Sequence, residues 1–161
     1  MSSLGMMCFE GDLAKVREAI GRGEDVNDKS FLNNTGLMWA VTKKHNSIVK
    51  LLLEQPTLDL NWADGYGLTA LHFAADSDNV EGMKLLLADP RLNTHNQKDN
   101  MGRTPVMTAI DKKKMNVLRE LVSHPSVNLD LDTRDYCGRS LEDAARWELL
   151  TFDMVSPTLI D

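Results

Sequence analysis

A chain of 161 residues, 42% apolar and 26% charged, is long enough for one hydrophobic core, too short for two ordinary domains and too apolar to stay disordered. Its net charge of −6 argues against a surface for phosphates, which needs clustered lysine and arginine, so nucleic acid is not an expected partner. Two cysteines, Cys8 and Cys137, lie far apart and in no paired spacing, which excludes a disulfide framework and a zinc knuckle and fits a reducing compartment.

The N-terminal MSSLGMMCFEGD has no basic segment ahead of a long apolar run and no glycine at position two. No apolar stretch approaches the roughly 18 residues of a membrane span. The expectation is a protein of the cytoplasm, the nucleus or both, with no membrane partner. From Asn33 onward one pattern returns. Asn33, Thr35 and LMWA (37–40) match the later parts of DGYGLTALHFAA from Asp64, DNMGRTPVMTAI from Asp99 and DYCGRSLEDAAR from Asp135. Thr35, Thr69, Thr104 and Ser140 thus recur at steps of 34, 35 and 36. Pro56, Pro90 and Pro125 keep the same step, each closing a leucine-rich run: LLLEQP, LLLADP and LVSHP.

Each unit reads as a helical hairpin. The hydroxyls of Thr35, Thr69, Thr104 and Ser140 suit an N-cap, and Pro105 suits the first helical position. A short helix follows, with small residues such as Ala74 and Ala75. In the second helix Ile48, Leu51 and Leu52, then Val80, Met83, Leu86 and Leu87, then Val117, Leu118, Leu121 and Val122 recur at helical spacing. The prolines make Gln55, Asp89 and His124 the last positions open to helix. An arm rich in Asn, Asp and Gly leads to the next unit.

TALH (69–72) and TPVM (104–107) resemble the T-P-L-H-x-A signature of the ankyrin repeat, and the period agrees. MMCFEGDLAKVREAIGRGEDVN, ending at Asn27, resembles the first repeat of that family. The resemblance implies an all-α ankyrin-repeat solenoid: stacked helix-turn-helix units joined by β-hairpin-like arms. Residues 1–161 then form one domain, with a first repeat over 4–27, central repeats over 28–62, 63–97 and 98–133, and a partial repeat and cap over 134–161. In that cap Leu149, Leu150, Phe152 and Val155 would cover the apolar end. The signature histidine survives at His72 alone, with Met38, Met107 and Asp143 in its place elsewhere, so the hydrogen bonds it supplies should be incomplete.

Chemistry finds no constellation. His45, His72, His95 and His124 lack metal-ligand spacing. Asp130, Asp132 and Asp135 fail as a calcium loop because Asp135 stands where glycine is required and Leu141 where glutamate is. Gly65 and Gly67 are turn glycines rather than a phosphate loop, and neither cysteine has a nucleophile's setting. No catalytic, metal or cofactor residue is expected. Lys112, Lys113 and Lys114 read as a solvated turn, and Trp39 as a core residue of a first helix.

The resemblance implies a protein-interaction module, not an enzyme, that is monomeric alone and binds a protein or peptide. The alternative is a regulatory or targeting segment of a larger enzyme whose active site lies outside this chain. Overlaying the repeats puts Leu32, Tyr66, Met101 and Cys137 at the hairpin tips, with Phe31 and Tyr136 among the residues just before them. Apolar side chains in a row there point to a contact surface, since turns favour Asn, Asp, Gly or Ser. Lys43, Asp76 and Lys112, at the ends of first helices, would give the same face alternating charge. The expected partner-binding set is Phe31, Leu32, Lys43, Tyr66, Asp76, Met101, Lys112 and Tyr136. LEQPTLDLN (53–61) resembles the family's asparaginyl hydroxylation site, which marks Asn61 for modification.

Overall fold

Hydroxyl side chains cap first helices of the repeats where the sequence places them. In the computed structural model, which describes residues 3–130 and 132–143, four helix pairs follow one another. They are α1 (Leu4–Glu10) with α2 (Leu13–Gly21), α3 (Gly36–Thr42) with α4 (Asn46–Leu53), α5 (Ala70–Ser77) with α6 (Val80–Leu87), and α7 (Pro105–Asp111) with α8 (Met115–Ser123). Residues 141–143 open a further helical turn. The expected cap from Trp147 lies outside the described residues.

The side chains of Thr35 and Thr104 accept the N–H of Met38 and Met107, satisfying donors that a helix start leaves open. At Thr69 the cap is reciprocal: His72 Nδ1 accepts the Thr69 N–H at 3.1 Å. At Ser140, Asp143 does the same work as that histidine, accepting the Ser140 N–H while the serine hydroxyl accepts its own. Three second helices end at Leu53, Leu87 and Ser123, one or two residues short of the limit set by the prolines. Their final turns tighten, with Gln55, Asp89 and His124 each donating to the carbonyl three residues back.

First helices pack on first helices and second on second, so the chain forms two helical layers with the core between them. Leu37, Met38, Ile48, Leu52, Leu71, Met83, Leu86 and Leu121 are fully buried, and Ala40, Ala74 and Ala109 let the first helices approach closely. Three asparagines stitch the arms together. Asn27 donates to Thr57 O and accepts from Asp59 N; Asn61 donates to Arg91 O and accepts from Asn93 N; Asn96 donates to Ser126 O and accepts from Asn128 N. Asn61, the expected hydroxylation site, therefore has both ends of its amide engaged.

Between the repeats the arms turn back as hairpins, closed by bridges between Lys29 and Thr35, Ala63 and Thr69, and Arg134 and Ser140. A buried aspartate organises three of the tips. Oδ1 of Asp64, Asp99 and Asp135 each accepts two backbone N–H groups, from Tyr66 and Leu68, Met101 and Arg103, and Cys137 and Arg139, at 2.8–3.0 Å. Burial works to raise the carboxyls of Asp99 and Asp135, but the N–H donors and the guanidinium of Arg103 or Arg139 outweigh it and hold both below the ordinary value.

The first hairpin has Ser30 where the others have aspartate, and its hydroxyl donates to Asn34 O instead. Without a carboxylate to gather the turn, Phe31–Asn33 winds into a short 3-10 turn. Leu32 and Asn33 take left-handed backbone, at φ 62° and 63°, which asparagine tolerates and leucine resists.

Asp99→Ala strands two buried N–H groups and the Arg103 guanidinium, and should cost about 2–4 kcal/mol in urea unfolding, with Asp99→Asn costing about half as much. Leu32→Gly should relieve the left-handed strain and raise stability by about 0.5–1 kcal/mol; a loss would show that the leucine side chain holds the turn.

Acid should destabilise in two stages. Burial depresses His72 below its ordinary 6.5 despite its hydrogen bond to Arg103 O, and Asp99 and Asp135 lie below 3.8. In each case the unfolded chain takes up protons before the folded one does. The urea midpoint is expected to be highest above pH 6.5, to fall as the histidine window is crossed, and to fall again below about pH 4. A midpoint that rises on acidification would contradict this.

Candidate functional site

The hairpin tips and the first helices share one face, and the tips along it are physically continuous. Gly65 N donates to Leu32 O at 3.1 Å, Asn100 N to Tyr66 O at 2.9 Å and Tyr136 N to Met101 O at 2.9 Å. Glycine permits this approach. A Cβ on Gly67 would lie 2.9 Å from Asn100 N, and one on Gly102 would lie 2.9 Å from the Tyr136 ring, besides needing φ of 77° and 78°.

The side chains on this ribbon point outward. Leu32 is 42%, Tyr66 56%, Met101 49% and Tyr136 80% exposed, and Cys137 is exposed beside them. Neighbouring tips thus join through backbone and leave the apolar side chains free. Of Phe31 only the backbone belongs to the described structure.

At the ends of the first helices the expected charges are met within the chain. Lys112 Nζ lies 2.8 Å from Asp76 Oδ1, across one repeat boundary. Asp111 lies 3.2 Å from the Arg139 guanidinium and 3.8 Å from that of Arg103. Lys112 is therefore half of an inter-repeat ion pair rather than a purely solvated turn residue. Lys43 behaves differently, with Nζ 4.2 Å from the centre of the Phe9 ring.

Phe9 belongs to a feature that sequence reasoning missed. Ser3, Gly5, Met6, Phe9, Ser30 and Trp39 line a cavity of about 310 Å³, mostly apolar, beside the first hairpin. Trp39 is half-buried rather than a core residue. Its ring meets Phe9 edge-to-face at 5.3 Å, and its indole N–H donates to Ser30 Oγ at 2.6 Å. Gly5 permits the close approach, since a Cβ there would lie 3.3 Å from Ser30 Cβ and 3.7 Å from the Trp39 ring. The signal available in the sequence was Met6 and Phe9, three residues apart on α1 and in excess of what Leu4, Met7 and Cys8 already bury.

Nucleophile and metal chemistry find little support in this geometry. Burial pushes the Cys8 thiol up to about 12, which keeps it protonated and unreactive. His72 is buried, with Nδ1 engaged by Thr69 and Nε2 3.0 Å from Arg103 O, so it is the neutral Nε2–H tautomer joining two repeats. His95 and His124 stack at 5.1 Å with their planes 12° apart, a geometry that does not converge their nitrogens on a common ion. Among the described residues no group of three His, Cys, Asp or Glu could hold a metal ion, and no helix is long and apolar enough to cross a membrane.

Comparison with known proteins agrees with the repeat architecture. A family model described as ankyrin repeats in three copies matches residues 4–96. The chain is 34% identical over 135 residues to Inversin of Gallus gallus, covering 83% of this chain and 12% of that protein. It is 32% identical over 123 residues to the E3 ubiquitin-protein ligase XBAT33 of Arabidopsis thaliana, covering 76% of this chain and 23% of the ligase. Against the putative ankyrin repeat protein YahD of Escherichia coli strain K12 it is 25% identical over 122 residues, covering 75% and 59%. This chain therefore spans less than two thirds of each of these relatives. The family model, the periodic caps and the stacked helix pairs together place the chain in the ankyrin-repeat family.

Proposed function

We propose that this chain is a non-enzymatic protein-binding module that takes a partner segment along the face of its hairpin tips and first helices. Ankyrin repeats are in general protein–protein interaction modules, and Inversin, to which the chain is similar, shares them. The observation that carries the reading is the row of exposed apolar side chains on a ribbon fixed by backbone hydrogen bonds: Leu32, Tyr66, Met101 and Tyr136. A rigid ribbon presents them without an ordering cost, and aromatic side chains of this kind commonly anchor interfaces. The reading also assigns Phe31 to the partner-binding set. Lys43, Asp76 and Lys112 border it, and the Asp76–Lys112 pair would set a partner's register more than its affinity, because exposed pairs contribute little energy.

A second reading is favoured by one finding: XBAT33 is a ubiquitin-protein ligase of which this chain matches 23%. The stack would then target or regulate an enzyme whose active site lies elsewhere. An antibody to the repeats separates the two, since native protein running well above the mass of 161 residues supports the second reading.

The principal test is substitution of the tips. Tyr66→Ala, Met101→Ala and Tyr136→Ala should each weaken partner capture by about 1–2 kcal/mol, read by calorimetry on a partner identified by native affinity purification. Thermal unfolding should stay within about 2 °C of the parent, because none of the three side chains is buried. Unaltered affinity in all three would move the interface to the outer helices.

A further inference from the structure

We propose that the cavity at the first two repeats is the anchor subsite of this face, and that it takes a bulky aliphatic or aromatic side chain from a partner peptide that carries a carboxylate nearby. The inference rests on the interaction reading above and specifies the chemistry of the partner. Three observations carry it.

The floor and walls of the cavity ask for an apolar guest. Gly5, Met6, Phe9 and Trp39 supply carbon surface, while the polar atoms present are already engaged. Ser30 Oγ receives the Trp39 indole N–H and donates to Asn34 O, and Ser3 Oγ accepts the Met6 N–H. A polar guest would lose water and gain no hydrogen bond in return. At about 310 Å³ the space lies at the low end of ligand pockets, which run about 300–1,000 Å³. It suits one or two side chains rather than a large cofactor.

Beside Phe9 stands a cation with no carboxylate partner among the described residues. Lys112, Arg103 and Arg139 on the same face each have a carboxylate partner. Among the described residues Lys43 has none within ion-pair distance, and its ammonium rests on the Phe9 ring instead. In a chain of net charge −6, a lysine held over the ring of Phe9, a residue that lines the cavity, is a local attraction for a carboxylate. A ring-held ammonium remains able to accept a salt bridge on its outer side. Extended chain advances about 3.3–3.6 Å per residue, which places the acidic residue within about three positions of the anchor.

The guest-facing side chains are also accessible to it. Met6 is 49% and Phe9 38% exposed, and an unbranched thioether adapts to guests of different shape.

The test selects a randomised short-peptide phage library on the full chain and measures the enriched peptides by fluorescence anisotropy. Enriched peptides are expected to share Leu, Ile, Phe or Trp with Asp or Glu within about three positions. Met6→Glu and Lys43→Glu should each weaken them at least about tenfold, while Met6→Ile keeps binding and all three variants melt like the parent. Added salt should weaken the parent and spare Lys43→Glu. The proposal falls if nothing enriches, if the enriched peptides lack the carboxylate, or if neither charge-introducing variant changes their affinity. Peptides that respond to Tyr66→Ala and Met101→Ala but not to Met6→Glu would sink the subsite and leave the tip reading standing. The reverse result would support the subsite and sink the tips. Sedimentation showing a dimer of the chain alone that Met6→Glu dissolves would assign the cavity to a second copy and overturn the proposal.

Discussion

A carboxylate oxygen buried inside a hairpin and shared between two backbone N–H groups is the contact on which the presented surface depends. Asp64, Asp99 and Asp135 each draw the N–H groups two and four residues on toward one oxygen. The turn then closes and the first of the two donor residues turns its side chain away from the hairpin. That residue is Tyr66, Met101 or Cys137. An aspartate in this role does what a run of turn formers does elsewhere, so the tip itself is released from turn chemistry. Apolar side chains can stand where a loop would ordinarily need polar ones.

Coupling between repeats then follows from short reach. Each tip donates one backbone hydrogen bond to the tip before it, each arm asparagine spans one arm to the next, and each helix packs on its own partner and its neighbours. Arg91 adds one more tie, donating from Arg91 to the Leu53 and Gln55 carbonyls at the end of α4. Among the described residues these ties join a repeat to its neighbour, so stability is close to a sum of units and nearest-neighbour interfaces. The cavity beside α1 lies at one such interface, where Gly5, Met6 and Phe9 meet Trp39 of α3.

Periodic features were legible in the sequence because they depend on residues close along the chain. Caps at Thr35, Thr69, Thr104 and Ser140, the helix pairs, the tip positions and the proline-limited second helices all follow from local spacing. The hydrogen bond from His72 to Arg103 O was the ladder the signature implied, and Asp143 shows how its loss is met by another capping side chain. What escaped depends on residues about 30 or more apart. Trp39 was expected in the core from its place in a first helix, but its surroundings are set by Gly5 and Phe9 of another repeat. The pairing of Asp76 with Lys112 was invisible for the same reason: each residue looked exposed and free, and only stacking brings them within 2.8 Å.

Small departures from the repeat also have local physical causes. Thr94 stands in the third arm where Leu60 stands in the second, both buried, and the third arm carries one extra residue before its bridging Asn96. Ser30 in place of aspartate leaves the first tip without its carboxylate. The freed hydroxyl serves the Trp39 indole, which fixes the ring at the cavity wall. One substitution therefore has two linked results, a strained tip at Leu32 and an ordered aromatic wall behind it. The N-terminal part of the face is apolar with an unmatched ammonium at Lys43, while the C-terminal part is a chain of matched charges through Asp76, Lys112, Arg103, Asp111 and Arg139. Matched pairs cost a partner desolvation before they offer it anything, whereas the unmatched lysine and apolar cavity gain from contact at once. Binding energy should accordingly be greatest at the first two repeats, with the later tips each adding a smaller share along the face.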